Sequence, residues 1–218
     1  MTSLVSSPTE GRGLPAPSGP AKLRRILKPE ENGYLLRRSL PRSLAVALSR
    51  VVELEPFELK LPVAAISDAS RLCAPLGAAA QAALGVDVAR WISAFSELIP
   101  DAPIVGSLCL TRSDDCRKYH VDWVGLRLIV TYVGPGTEWA PDHAVHRPAL
   151  AAPWRSLSAI NRAIVPGPTQ VRRARAGDVL LLKGESYPGN AGRGAVHRSP
   201  PIAHRSDVRL VFKLTATR

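Results

Sequence analysis

Tyr119-His120-Val121-Asp122-Trp123 is the stretch on which the reading of this chain turns. If it is extended, His120 and Asp122 share one face, because side chains alternate across a strand with a period of two. A histidine from a distant strand can then complete a facial triad that leaves the remaining positions on a metal open, a ligand pattern suited to non-haem Fe(II). His197 is placed for that role. It lies in Gly194-Ala195-Val196-His197-Arg198-Ser199-Pro200, ahead of two prolines that cannot sit in a central strand, and so belongs at a strand end or bend. All five histidines fall between positions 120 and 204.

The surrounding texture is that of a β domain. Ile104–Leu110, Leu126–Val133, Val179–Leu182 and Val208–Leu214 are short Val/Ile/Leu-rich runs bounded by Gly, Pro and Asp. Gly134-Pro135-Gly136 and Pro166-Gly167-Pro168 punctuate turns. The connection from Pro141 to Asn161 has room for a short helix around Ser156–Arg162. Short strands with irregular loops predict a small antiparallel barrel or jelly roll. On its late strand, Arg209 opens Arg209-Leu210-Val211-Phe212-Lys213-Leu214, where a guanidinium can hold a carboxylate in a bidentate fork, with Arg205, four residues before it, as the alternative.

Upstream the pattern is mostly helical. One helix is expected to start near Pro41, with Ser39 as its cap and Leu44, Leu48 and Val51 at helical spacing, and to end at Pro56. Phe57-Glu58-Leu59-Lys60-Leu61 alternates like a strand. Ser67-Asp68 caps a second helix, and Val88, Ile92, Phe95 and Ile99 stripe a third, with Trp91 read as core. The expected organisation is a disordered tail over 1–20, a mostly helical N-terminal extension over 21–102, and a metal-bearing β domain over 103–218.

Bulk properties narrow the function classes. The chain has 218 residues, long enough for one sizeable core. Its 3 cysteines, without a Cys-x-x-Cys, argue against a disulfide framework or a thiolate zinc site. No apolar run reaches the roughly 18–20 residues of a membrane span, and the first residues lack the order of a secretory signal. A soluble, cytoplasmic protein is expected. The net charge of +11 raises nucleic acid as a partner. The arginines are scattered and not interleaved with aromatics, so this is the less favoured reading.

Taken together, His120-x-Asp122, Arg127-Leu128-Ile129-Val130-Thr131-Tyr132, Ala176-Gly177-Asp178-Val179-Leu180-Leu181, His197 and Arg209 resemble the Fe(II)/2-oxoglutarate-dependent dioxygenases, within them the prolyl-hydroxylase-like branch. The resemblance implies a cupin-like double-stranded β-helix, iron on His120, Asp122 and His197, and the 2-oxoglutarate carboxylate on Arg209. It also implies a hydroxylase-type reaction on an unassigned substrate. Val133-Gly134-Pro135-Gly136-Thr137-Glu138-Trp139, Leu182-Lys183-Gly184-Glu185 and the run from Gly194 to Pro201 look like a bacterial domain-of-unknown-function family considered alongside zinc-homeostasis genes. A non-redox, zinc-handling role on the same barrel is therefore the alternative, with His143 or His146 as further ligands. Tyr132, and less directly Thr131, are candidates to touch the 2-oxoglutarate carboxylate. Arg127 and Glu185 are candidate buried charges, with Asp178 or Glu185 conceivable partners for Arg127.

Overall fold

A computed structural model describes residues 20–113, 116–153, 156–202 and 207–217. The expected tail up to residue 19, as well as His204 and Arg205, lies outside the described residues. Two antiparallel sheets face one another. The larger runs in the order β1 (Gly33–Leu36), β7 (Val179–Lys183), β4 (Leu126–Val133), β9 (Arg209–Ala216), β3 (Ile104–Thr111), β2 (Phe57–Val63). The smaller is β6 (Arg172–Arg173), β5 (Glu138–Ala140), β8 (Val196–Arg198), extended by a single bridge from His120 to His197. From β3 onward the chain passes back and forth between the sheets, with β5 and β6 consecutive in the smaller one, and the fold is a double-stranded β-helix. Among the described residues no helix is long and apolar enough to cross a membrane.

Strand alternation decides what each face does. On β9, Leu210, Phe212 and Leu214 are fully buried on one side, while Arg209, Val211 and Lys213 point to the other. The register sets Leu108, Phe212 and Val130 side by side across three strands, building a continuous apolar surface. Against it lies α4 (Ala78–Leu98), which buries Leu84, Val88, Trp91, Ile92 and Phe95. Each such burial contributes about 1.5–3 kcal/mol. Gly77, with φ +78°, precedes this helix, and Pro100 follows its end.

The N-terminal half is not only helical. It supplies both edge strands of the large sheet, β1 and β2, and β1 was not anticipated. The helix expected from Pro41 to Pro56 is broken into α2 (Arg42–Ala47) and a 3-10 turn over Val51–Glu53. Ser49 donates its hydroxyl to the Val46 carbonyl, satisfying locally an acceptor that a continuing helix would use. Ser39 does not cap; Pro41 holds the N-cap position without a side-chain bond. Between β5 and β6, α5 (Leu157–Ile164) is capped by Ser156, whose Oγ accepts from the Ala159 N–H.

Candidate metal centre

His120, Asp122 and His197 come together between the two sheets. His197 sits mid-strand in β8, and paired backbone bonds of 3.0 Å in each direction lock His120 beside it. Only His120 is strand-like; the chain leaves the sheet before Asp122, so the expected strand over 119–123 is one bridge long. The Asp122 carbonyl accepts from the Glu185 N–H at 2.8 Å, fixing this loop against the segment after β7. The approach is close enough that a Cβ on Gly184 would meet the Val124 carbonyl oxygen at 2.1 Å.

Hydrogen bonding settles which ring nitrogens face inward. His120 Nδ1–H donates to the Lys118 carbonyl at 2.9 Å, and His197 Nδ1–H to the Ala195 carbonyl at 3.0 Å. Each proton is thereby committed outward, leaving a lone pair on each Nε2. Those nitrogens lie 3.7 Å and 3.2 Å from the Asp122 carboxylate, and one donor atom from each of the three residues lies within 4.8 Å of the others. Lone pairs thus converge on one point with no proton of their own to share. This donor set fits a divalent cation, with three protein ligands and further positions open.

The electrostatics agree. Burial, then repulsion from His197, lowers the pKa of His120 and favours its neutral, ligating form. Burial alone would raise the pKa of Asp122, but the Arg127 cation bonded to it works the other way, and the carboxyl sits well below its ordinary range. Arg127 Nη1 bonds Asp122 Oδ2 directly, and its Nε donates to Thr215 Oγ1 at 3.1 Å. That pairing replaces the conceivable ones with Asp178 or Glu185. Asp178 bonds Arg37, and Glu185 accepts from the N–H groups of Gly192 and Gly194.

Beside the triad is a cavity of about 120 Å³, whose walls include His120, His197, Arg127, Arg209 and Lys213. Arg209 is buried; its Nε donates to the Pro135 carbonyl at 2.8 Å, and its Nη2 lies 3.5 Å from Thr137 Oγ1. The position therefore holds a cation inside the barrel, on the large sheet, lining the same cavity as the two histidines of the small sheet. Lys213, Cys109 and Thr137 also line this cavity and were missed in the sequence. The signal available was parity: Lys213 shares its strand face with Arg209, and Cys109 pairs with Val211 between them.

Tyr132 does not join the site. It has the parity of Leu128 and Val130, so it points into the helix-packed core, where its hydroxyl donates to Asp87 Oδ2 at 2.7 Å. Thr131 has the opposite parity, and its hydroxyl is buried without a hydrogen-bond partner among the described residues. His143 and His146 are exposed on a 3-10 turn and its flank, apart from the triad. Of the residues flanking the pair, Trp123 is 79% exposed, whereas Tyr119 is buried, with Arg198 lying over its ring.

The family described as "Protein of unknown function (DUF1826)" matches residues 18–215, and the chain belongs to it. No curated protein matches the sequence. Among solved structures, a dioxygenase for auxin oxidation from rice shares 15% identity over 91% of this chain and 77% of its own, with a TM-score of 0.55. A prolyl-4-hydroxylase from Pseudomonas putida shares 11% identity over 91% and 98% of the two chains, with a TM-score of 0.44. A dioxygenase for auxin oxidation from Arabidopsis thaliana, solved with 2-oxoglutarate, shares 11% over 91% and 87%, with a TM-score of 0.46. At such identities the likeness to the rice enzyme is one of fold.

Proposed function

We propose that this member of the DUF1826 family is an Fe(II)- and 2-oxoglutarate-dependent oxygenase. His120, Asp122 and His197 would hold the iron, and Arg209 the far carboxylate of 2-oxoglutarate. The observation that carries the reading is the convergence of two lone-pair Nε2 atoms and one carboxylate beside a cavity walled by Arg209, Arg127 and Lys213. When bound, iron with 2-oxoglutarate supplies the means to activate dioxygen and oxidise a substrate C–H bond.

The chain's own residues do the positioning. The Lys118 and Ala195 carbonyls hold the two imidazoles in one tautomer and orientation. Arg127 fixes the rotamer of Asp122 through one of its two oxygens. The Pro135 carbonyl and Thr137 steady Arg209, so its guanidinium is already turned inward before a carboxylate arrives. Buried cations also attract a dicarboxylate into a cavity that would otherwise exclude charge.

The test is an anaerobic titration of the apo-protein with Fe(II) and then 2-oxoglutarate, following the visible charge-transfer band of the chelate. The reading expects a saturable band, abolished by His197→Ala and needing a higher 2-oxoglutarate concentration in Arg209→Met. No band at saturating iron would overturn it.

A further inference from the structure

Lys183 ends β7 with its side chain on the helix-packed side of the large sheet, away from the metal centre. It is 2% exposed. Its Nζ donates to the Lys28 carbonyl at 2.8 Å and lies 4.6 Å from the centre of the Tyr187 ring. An ammonium group has three donors. Among the described residues this is its one hydrogen bond, and no carboxylate stands within ion-pair distance.

The buried carboxylates are placed differently: Asp87, Asp178 and Glu138 each have an arginine partner. A buried charge without a counter-charge is costly and is ordinarily paired or bound to something. Burial and the nearby charge of Arg193 both press the Lys183 pKa down, against a more distant pull from Glu30 and Glu31. Lys183 is among the residues that wall a cavity of about 810 Å³, as are Leu27 and Pro29, the neighbours of its hydrogen-bond partner Lys28, and the volume lies within the usual range of small-molecule sites. Leu27, Ile99, Pro100, Leu126 and Pro188 make much of the rest of that wall.

We propose that this cavity binds a small monocarboxylate with an apolar body, its carboxylate paired with Lys183 and its hydrocarbon laid along Leu27, Ile99 and Pro188. The ligand supplies the missing counter-charge, and the apolar wall covers a hydrocarbon chain that water would otherwise surround. The site is separate from the metal centre and does not depend on the oxygenase reading.

Calorimetric titration of the full chain with decanoate, and with 1-decanol as its uncharged match, tests this. Decanoate should bind the wild type and lose roughly tenfold or more in affinity in Lys183→Met, as expected for a charge-assisted bond. Decanol should bind both alike. Lys183→Met should melt no lower than wild type, because it removes an uncompensated charge. A second variant, Ala102→Phe, puts a large ring on the cavity lining and should abolish decanoate binding while leaving the Fe(II) titration unchanged. No decanoate binding, or equal affinity in both lysine forms, would overturn the proposal. So would displacement by 2-oxoglutarate, which would move decanoate to the other cavity. A large loss of stability in Lys183→Met would make the lysine a structural tether instead. Self-association lost in that variant, without decanoate binding, would assign the groove to a second copy.

Discussion

Two carboxylates lie on opposite sides of the large sheet, and their surroundings differ in kind. Asp87, in the helix-packed core, receives both nitrogens of Arg38 at 2.8 and 2.6 Å, the Trp91 indole N–H at 3.0 Å and the Tyr132 hydroxyl at 2.7 Å. Every neighbour is a donor, and the node is complete. Asp122, on the face toward the small sheet, has one donor, Arg127, and otherwise confronts two imidazole lone pairs. A satisfied carboxylate holds a core together, whereas one facing other acceptors is waiting for a cation. The same strands serve both, because neighbouring residues on β4 and β9 point to opposite faces. One residue of parity separates the part that stabilises from the part that would bind.

The sharpest way to break this contrast is to delete each carboxylate in turn. Asp87→Ala strands the guanidinium of Arg38, two further donors and a buried cavity. It should cost about 3–5 kcal/mol in urea unfolding. Asp122→Ala in metal-free protein should cost about 1 kcal/mol or less, since the Arg127 pair is partly solvated. Equal losses would show that Asp122 is as structural as Asp87, and the contrast would fall.

Adding the cation narrows the gap between the two sites. Under anaerobic conditions, Fe(II) at about a hundred times its Kd should raise wild-type stability by about 2.7 kcal/mol. Asp122→Ala and His120→Ala should gain nothing, and a milder lesion on the other face, Asp87→Asn, should keep the full increment. A thermal melt with and without the metal reads this directly. Stabilisation that survives the loss of His120 would place the ion elsewhere.

How far the sequence announced these two nodes depends on how local their signals are. His120 and Asp122 lie two residues apart, so they stay close even though the chain leaves the sheet between them, and a short-range pattern was enough to pair them. The long runs of β3, β4 and β9 were readable for the same reason. The small sheet was not, because β5, β6 and β8 span only three, two and three residues and show little periodicity. Asp87 sits one position from the apolar stripe of α4, and the residue that makes it a node, Arg38, is 49 positions upstream. No local pattern carries that pairing. Tyr132 was misassigned because its strand is buried on both faces, and only tertiary packing says which of them meets α4.

Tyr132 gives a smaller test of that correction. Tyr132→Phe removes one donor from Asp87 and should cost about 0.5–1.5 kcal/mol. The 2-oxoglutarate concentration needed for half the charge-transfer band should not change. A shift in that midpoint without a loss of stability would return Tyr132 to the binding side.

The smallest expected effect is in the pH dependence. Burial works to raise the pKa of Asp87, but the bonds and charge of Arg38, with those of Tyr132 and Trp91, outweigh it and leave the folded value below the ordinary one. With the folded pKa depressed, the unfolded chain takes up its proton first as pH falls, so stability rises with pH across that window. The ionised carboxylate therefore contributes its full share above the unfolded value, roughly pH 4. That share is lost as pH drops toward the folded pKa. Other acids titrate in the same range, so the informative quantity is the stability of wild type minus that of Asp87→Asn. It should be constant from neutral pH down to about 5 and shrink below about 4. A difference that stays flat through acid would mean that the node holds as well with a neutral group, and that geometry rather than charge separates Asp87 from Asp122.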